Sequence, residues 1–118
     1  MNQFPNKYDL EERTGQFGED VIDFCKGIGE TMISRPLIGQ LIRSATSIGA
    51  NYMEANGASS KKDFTNKIFI CKKETQETKH WLRMIKKCNS ENEPKIMILW
   101  NQCQELTLIF QKITNSLR

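Results

Sequence analysis

Apolar and small side chains recur along this chain at alternating steps of four and three, the spacing that gathers them on one face of a helix. Leu10, Thr14, Phe17, Val21, Phe24 and Ile28 form the first run, and Ile38, Leu41, Ala45, Ile48, Tyr52 and Ala55 the second. Phe64, Ile68, Cys71, Thr75, Thr78, Leu82 and Ile85 form the third, with two threonines softening its middle. Ile96, Leu99, Cys103, Leu106, Phe110, Ile113 and Leu117 form the fourth. Strand-like alternation is absent.

Local signals bound these runs. Asp9, with Glu12 three residues on, reads as an N-cap and its capping-box partner; Ser60 and Asp63 repeat the pattern. Pro36 and Pro94 suit first helical turns, and Gly27, Gly29 and Gly57 suit C-terminal stops. The pattern predicts helices over about 9–27, 35–56, 61–88 and 93–117, joined by short loops. Such helices pack as an all-α, antiparallel up-down-up-down four-helix bundle, one domain over residues 1–118.

Composition agrees. The 118 residues are 38% apolar and 26% charged, as in a globular domain. No apolar run approaches the roughly 18 residues of a membrane span. The stretch Met1–Lys7 lacks the apolar segment of a signal peptide, so the expected setting is the cytoplasm, with no membrane partner. Cys25, Cys71, Cys88 and Cys103 form no Cys-x-x-Cys and read as small buried apolar residues.

Charge changes the picture by its distribution. Residues 1–30 carry 3 basic and 7 acidic groups, net −4, whereas residues 61–88 carry 9 basic and 3 acidic groups, net +6. From Leu37 to Asn56 the only charges are Arg43 and Glu54, and small uncharged residues such as Gly39, Ser44, Ser47, Gly49 and Ala50 occupy the non-core positions. The fourth run is similarly poor in charge and places Trp100 and Leu108 off its stripe. Either the second helix lies at the centre of a monomer, or another subunit covers it. The second reading predicts a closed homo-oligomer, with Arg43, Ser44, Ser47, Asn51, Glu54 and Trp81 as interface candidates.

On the third helix, Lys72, Lys79 and Lys86 share one heptad position, Lys73, His80 and Lys87 share the next, and Arg83 lies between. At about 1.5 Å per residue they make a ridge roughly 20 Å long. The opposite flank, with Ile70, Glu74, Glu77, Trp81 and Met84, is apolar and acidic. A ridge of this kind attracts phosphate without reading bases, and Phe69 is its one candidate for stacking. Two plainer readings stay open: a lysine-rich solvated face, or pairing with the acidic first segment of the same or another chain.

Catalytic chemistry finds little support. Glu77-x-x-His80 has the spacing of a di-metal bundle motif, but a single histidine cannot furnish the second copy such centres take, and His80 sits on the polar ridge. The carboxylate pair Glu74 and Glu77 suits ion pairing. No serine or cysteine has an evident histidine base, and no glycine-rich phosphate loop occurs. No cofactor, metal or enzymatic activity is expected.

Several segments together resemble a known family. Tyr8-Asp9-Leu10-Glu11-Glu12-Arg13-Thr14 opens the first helix, and Gln40 through Gly57, with Ser47-Ile48-Gly49-Ala50-Asn51 at its centre, runs along the second. Lys62-Asp63-Phe64, Lys73-Glu74, Glu77-Thr78 and Trp81-Leu82 mark the third. Over roughly residues 8–87 these resemble the bacterial four-helix bundle proteins encoded in intervening sequences of 23S ribosomal RNA genes, often labelled ribosomal proteins. Met53 and His80 replace a smaller residue and a tyrosine. That family is similar to the accessory protein of diversity-generating retroelements, a barrel-like pentamer that binds nucleic acid through basic surface. The resemblance implies a pentamer, a ribosomal-RNA-associated nucleic-acid role and no catalysis. On this chain the role would fall to Lys72, Lys73, Lys79, Arg83, Lys86 and Lys87, with RNA or DNA as partner. The alternative is a protein-interaction or structural scaffold without nucleic-acid binding.

Overall fold

A computed structural model describes residues 7–117, which form four α-helices: α1 (Lys7–Gly27), α2 (Ser34–Asn56), α3 (Lys61–Cys88) and α4 (Glu93–Ser116). A single 3-10 turn, Ser90–Asn92, leads into α4. The segment Met1–Asn6 lies outside the described residues. Among those residues no helix is long and apolar enough to cross a membrane.

Each helix packs on the next, α1 on α2, α2 on α3 and α3 on α4, and α4 returns to α1 along a sparser seam. The diagonals α1–α3 and α2–α4 have no close backbone approach. The result is a square four-helix bundle whose core is built from the four stripes, buried at nearly every expected position. Tyr52 and Phe110 meet edge-on across its centre, ring centroids 5.9 Å apart. Burial of these side chains is the main stabilising term.

Four local details differ from expectation. Helix α1 opens at Lys7, so Asp9 lies within its first turn instead of capping it. Helix α2 is capped by a reciprocal pair: Ser34 N–H donates to Thr31 Oγ1 at 3.0 Å, and Thr31 N–H donates to Ser34 Oγ at 2.8 Å. Gly57 ends α2 at φ −98° and ψ 9°, and a negative φ is open to any residue, so its special freedom is not used. At the end of α4, Thr114 is buried and Ile113 only partly, because a helix of 3.6 residues per turn drifts against a seven-residue repeat. At α3 the expected cap is present, with Asp63 N–H donating to Ser60 Oγ at 3.0 Å.

Candidate nucleic-acid interface

Helix α3 presents three kinds of surface, set by its neighbours. Toward the core it buries Ile68, Cys71, Thr75, Thr78, Leu82 and Ile85. Toward α2 lie Lys67, Glu74 and Glu77; Lys67 Nζ is 2.9 Å from Glu54 Oε1, and Arg43 bonds both carboxylates, reaching Glu74 at 3.2 Å. The hydrogen bond that Arg43 donates to Glu77, more than the charge of either carboxylate, raises the Arg43 pKa above its usual value. Glu74 is nearly buried, so the carboxylate pair serves as an ion-pair anchor for Arg43.

The ridge divides along its length. Lys79 Nζ donates to Gln104 Oε1 of α4 at 2.6 Å and stands 5.4 Å from the centre of the Trp100 ring. Lys86 Nζ lies 3.3 Å from Glu93 at the start of α4. These two cations of the expected row are therefore committed to α4, which lies along that side. Lys73, Arg83 and Lys87 are exposed and Lys72 is half-buried, and none of the four has an ion-pair partner among the described residues. The signal for Lys79 and Lys86, a glutamine, a tryptophan and a glutamate at matching levels of α4, becomes visible only once the antiparallel pairing is known.

Acidic α1 sits diagonally across the bundle from α3, without close approach. Pairing of the ridge with the first segment of the same chain, one of the plainer readings, is therefore excluded by geometry. The acidic helix therefore does not neutralise the ridge, whose ion pair among the described residues is the one between Lys86 and Glu93 of α4.

His80 is exposed and packs edge-on against Trp81, centroids 4.9 Å apart. Phe69, the candidate stacking ring, is about one-third exposed. No cluster of three or more histidine, cysteine or carboxylate side chains converges among the described residues. Cys71 and Cys103 are buried as expected, and desolvation pushes both thiols up to about 12. Cys25 is half-buried and raised to about 11. Cys88 departs from expectation: it is exposed at the last turn of α3, beyond the core.

The interface candidates share the α2–α3 side, with one correction. Ser44 is fully buried inside its own bundle, where Thr78 donates to its hydroxyl at 2.9 Å, so no neighbouring chain touches it. Asn51 donates to the Ser47 carbonyl and hydroxyl, at 2.9 and 3.0 Å, one turn back on the same helix. Trp81 is half-buried, with its indole N–H enclosed and without a partner.

The model of the 23S rRNA-intervening sequence protein family matches residues 7–112. The chain belongs to that family. In fold, the chain is similar to a protein of unknown function from the S23 ribosomal protein family of Bacteroides thetaiotaomicron. The likeness has a TM-score of 0.79 at 28% identity and covers 89% of this chain and 97% of the other. No curated protein matches the chain. The family is not a known enzyme family.

Proposed function

We propose that this 23S rRNA-intervening sequence protein is a non-catalytic, self-associating bundle that binds RNA or another nucleic acid through the free cations of α3. The observation that carries the reading is the set Lys72, Lys73, Arg83 and Lys87: four cations on one helix, unpaired within the described chain and diagonal to the acidic helix. Three of the four are lysines, which favours contact with the phosphate backbone over base recognition. Lys79 and Lys86 sit beside this set and add to its potential while held against α4. Membership in a family defined by ribosomal RNA genes supports RNA as the ligand, acting in the cytoplasm.

Self-association is supported by the charge-poor outer surface of α2, with Ser47, Asn51 and Trp81 along its α3 edge; a pentamer is the expected closed form. Exposed apolar side chains on α4, Ile98 and Leu108, favour protein contact as well, which is the observation behind a second reading as a protein-interaction scaffold.

The discriminating experiment compares two triple variants of equal net charge. Lys73→Gln/Arg83→Gln/Lys87→Gln removes three free cations from the ridge; Lys26→Gln/Arg35→Gln/Lys95→Gln removes three exposed cations outside α3. Gel-shift titration with a 23S rRNA fragment is expected to show at least tenfold weaker binding for the first variant and little change for the second. Equal weakening would reduce the ridge to a contributor of net charge, and unmeasurable binding by the unmodified protein would favour the scaffold.

A further inference from the structure

Two cavities adjoin at the corner where α3 ends and the chain turns through Ser90–Asn92 into α4. The first, about 540 Å³, is lined by Arg83, Lys86, Lys87, Ser90 and Glu93. The second, about 240 Å³, is lined by Ile96, Met97 and Trp100, with Arg83 and Lys86 again. Two cations belong to both, so the corner is one site with a charged half and an apolar half.

The charged half holds three cations and one carboxylate, a net charge of +2. Helix ends account for part of it. Lys86 and Lys87 stand in the last turn of α3 and Glu93 in the first turn of α4, where their charges offset the helix dipoles. Lys86 also pairs with Glu93 at 3.3 Å. Arg83 has no such reason. It lies a turn further back, exposed and without an ion-pair partner among the described residues, four positions from Lys87. Like charges at that spacing repel one another along a helix. The isolated chain loses stability by holding Arg83 and Lys87 together, and an anion seated between them reverses the loss. In the apolar half, Met97 is 38% exposed, left in water at the wall of a cavity that Trp100 completes.

A fitting ligand carries a charge near −2 at one end and an apolar, flat group beside it. A phosphodiester inside a strand has a single charge, whereas a terminal phosphate monoester carries about −1.5 to −2 at neutral pH. A nucleotide sets its base one ribose away from that phosphate. Arg83 supplies a fork of donors matched to phosphate oxygens, and the Ser90 hydroxyl adds another donor in the same half.

We propose that this corner seats the terminal nucleotide of an RNA strand through its phosphate monoester, with Arg83 and Lys87 on the phosphate and Met97 and Trp100 against the base. The proposal rests on the reading that α3 binds RNA. It adds that the strand is held by its end, with its remaining phosphates running back along the ridge toward Lys73.

One RNA sequence prepared three ways tests it: hydroxyls at both ends, a phosphate at the 5′ end, or a phosphate at the 3′ end. Affinities are read by fluorescence anisotropy with an internal label. One phosphorylated strand is expected to bind about tenfold tighter than the hydroxyl strand, the effect of one charge-assisted hydrogen bond, and it identifies the end that is seated. Arg83→Gln/Lys87→Gln is expected to abolish that ratio, and Met97→Ser to lower it about twofold. Lys72→Gln/Lys73→Gln, which removes as much charge further along the ridge, is expected to weaken all three strands and keep the ratio. Circular dichroism checks that each variant stays helical. Three strands of equal affinity would overturn the corner assignment while RNA binding stands. A ratio that both double variants lower equally would overturn it too, since the strand's added charge alone would then explain the gain. A free nucleoside monophosphate that binds as tightly as the phosphorylated strand would overturn the assignment to a strand end. No measurable binding of any strand would overturn the RNA reading, and the corner assignment with it.

Discussion

Thr78 donates a hydrogen bond to the Ser44 hydroxyl at 2.9 Å across the seam between α3 and α2, in a region where both residues are fully buried. Ser44 in turn reaches the Leu41 carbonyl at 3.3 Å. Two short polar side chains therefore satisfy one another inside a single bundle, and the lack of charge on α2 is partly explained by packing against α3.

That pairing predicts a non-additive mutant cycle. Thr78→Val leaves the Ser44 hydroxyl only the Leu41 carbonyl, and Ser44→Ala leaves Thr78 only the Glu74 carbonyl, so each should lower unfolding free energy by about 0.5–1.5 kcal/mol. The double variant should cost less than the sum by about 0.5–1 kcal/mol, because the two single variants lose the same hydrogen bond. Urea unfolding of the four proteins measures the coupling, and strict additivity would show that the hydroxyls do not depend on each other.

Arg43 predicts a contrast between two ion pairs. Its guanidinium is half-exposed, but the Glu74 side chain it holds at 3.2 Å is only 9% exposed. Arg43→Gln should destabilise by about 1–2 kcal/mol, since the nearly buried carboxylate loses its cation. Arg13→Gln breaks a pair with Glu105 in which both partners are well exposed, and should cost under about 0.5 kcal/mol. Thermal or chemical unfolding of both variants checks the ranking.

The thiols predict a pH dependence with a definite sign. Burial raises Cys71 and Cys103 from 9.0 to about 12. Unfolded, both ionise as pH passes 9.0; folded, they stay protonated. Their contribution to stability is therefore complete below pH 9.0 and is lost as pH rises toward about 12. Unfolding free energy should fall in that window, and Cys71→Ala/Cys103→Ala should flatten the decline. In the native protein at neutral pH, a thiol reagent should modify Cys88 first, with Cys71 and Cys103 reacting only in denaturant.

Legibility in the sequence followed physical scale. The core stripe was readable because a helix has one period, and a residue such as Val21 or Leu82 that keeps it has only one place to go. Neighbour identity was not readable. Ser44 fell outside the apolar stripe and so read as surface, although it lies where α2 meets α3. Lys79 and Lys86 read as free because a heptad assigns a face and not the helix lying against it. Lys73 and Lys87, on the side of α3 turned away from both neighbours, and Arg83, at the margin toward α4, are exposed, as the ridge reading expects.

On the proposed reading, α3 contacts phosphates through cations the chain leaves unpaired. The most direct measurement is the affinity for single-stranded RNA across a range of salt concentrations, plotted as logarithms, for the unmodified protein and for Lys73→Gln/Arg83→Gln/Lys87→Gln. Each phosphate contact contributes about 0.7 to the negative slope on a single strand, so the variant's slope should be shallower by about 2. Superimposable slopes for the two proteins would contradict the account.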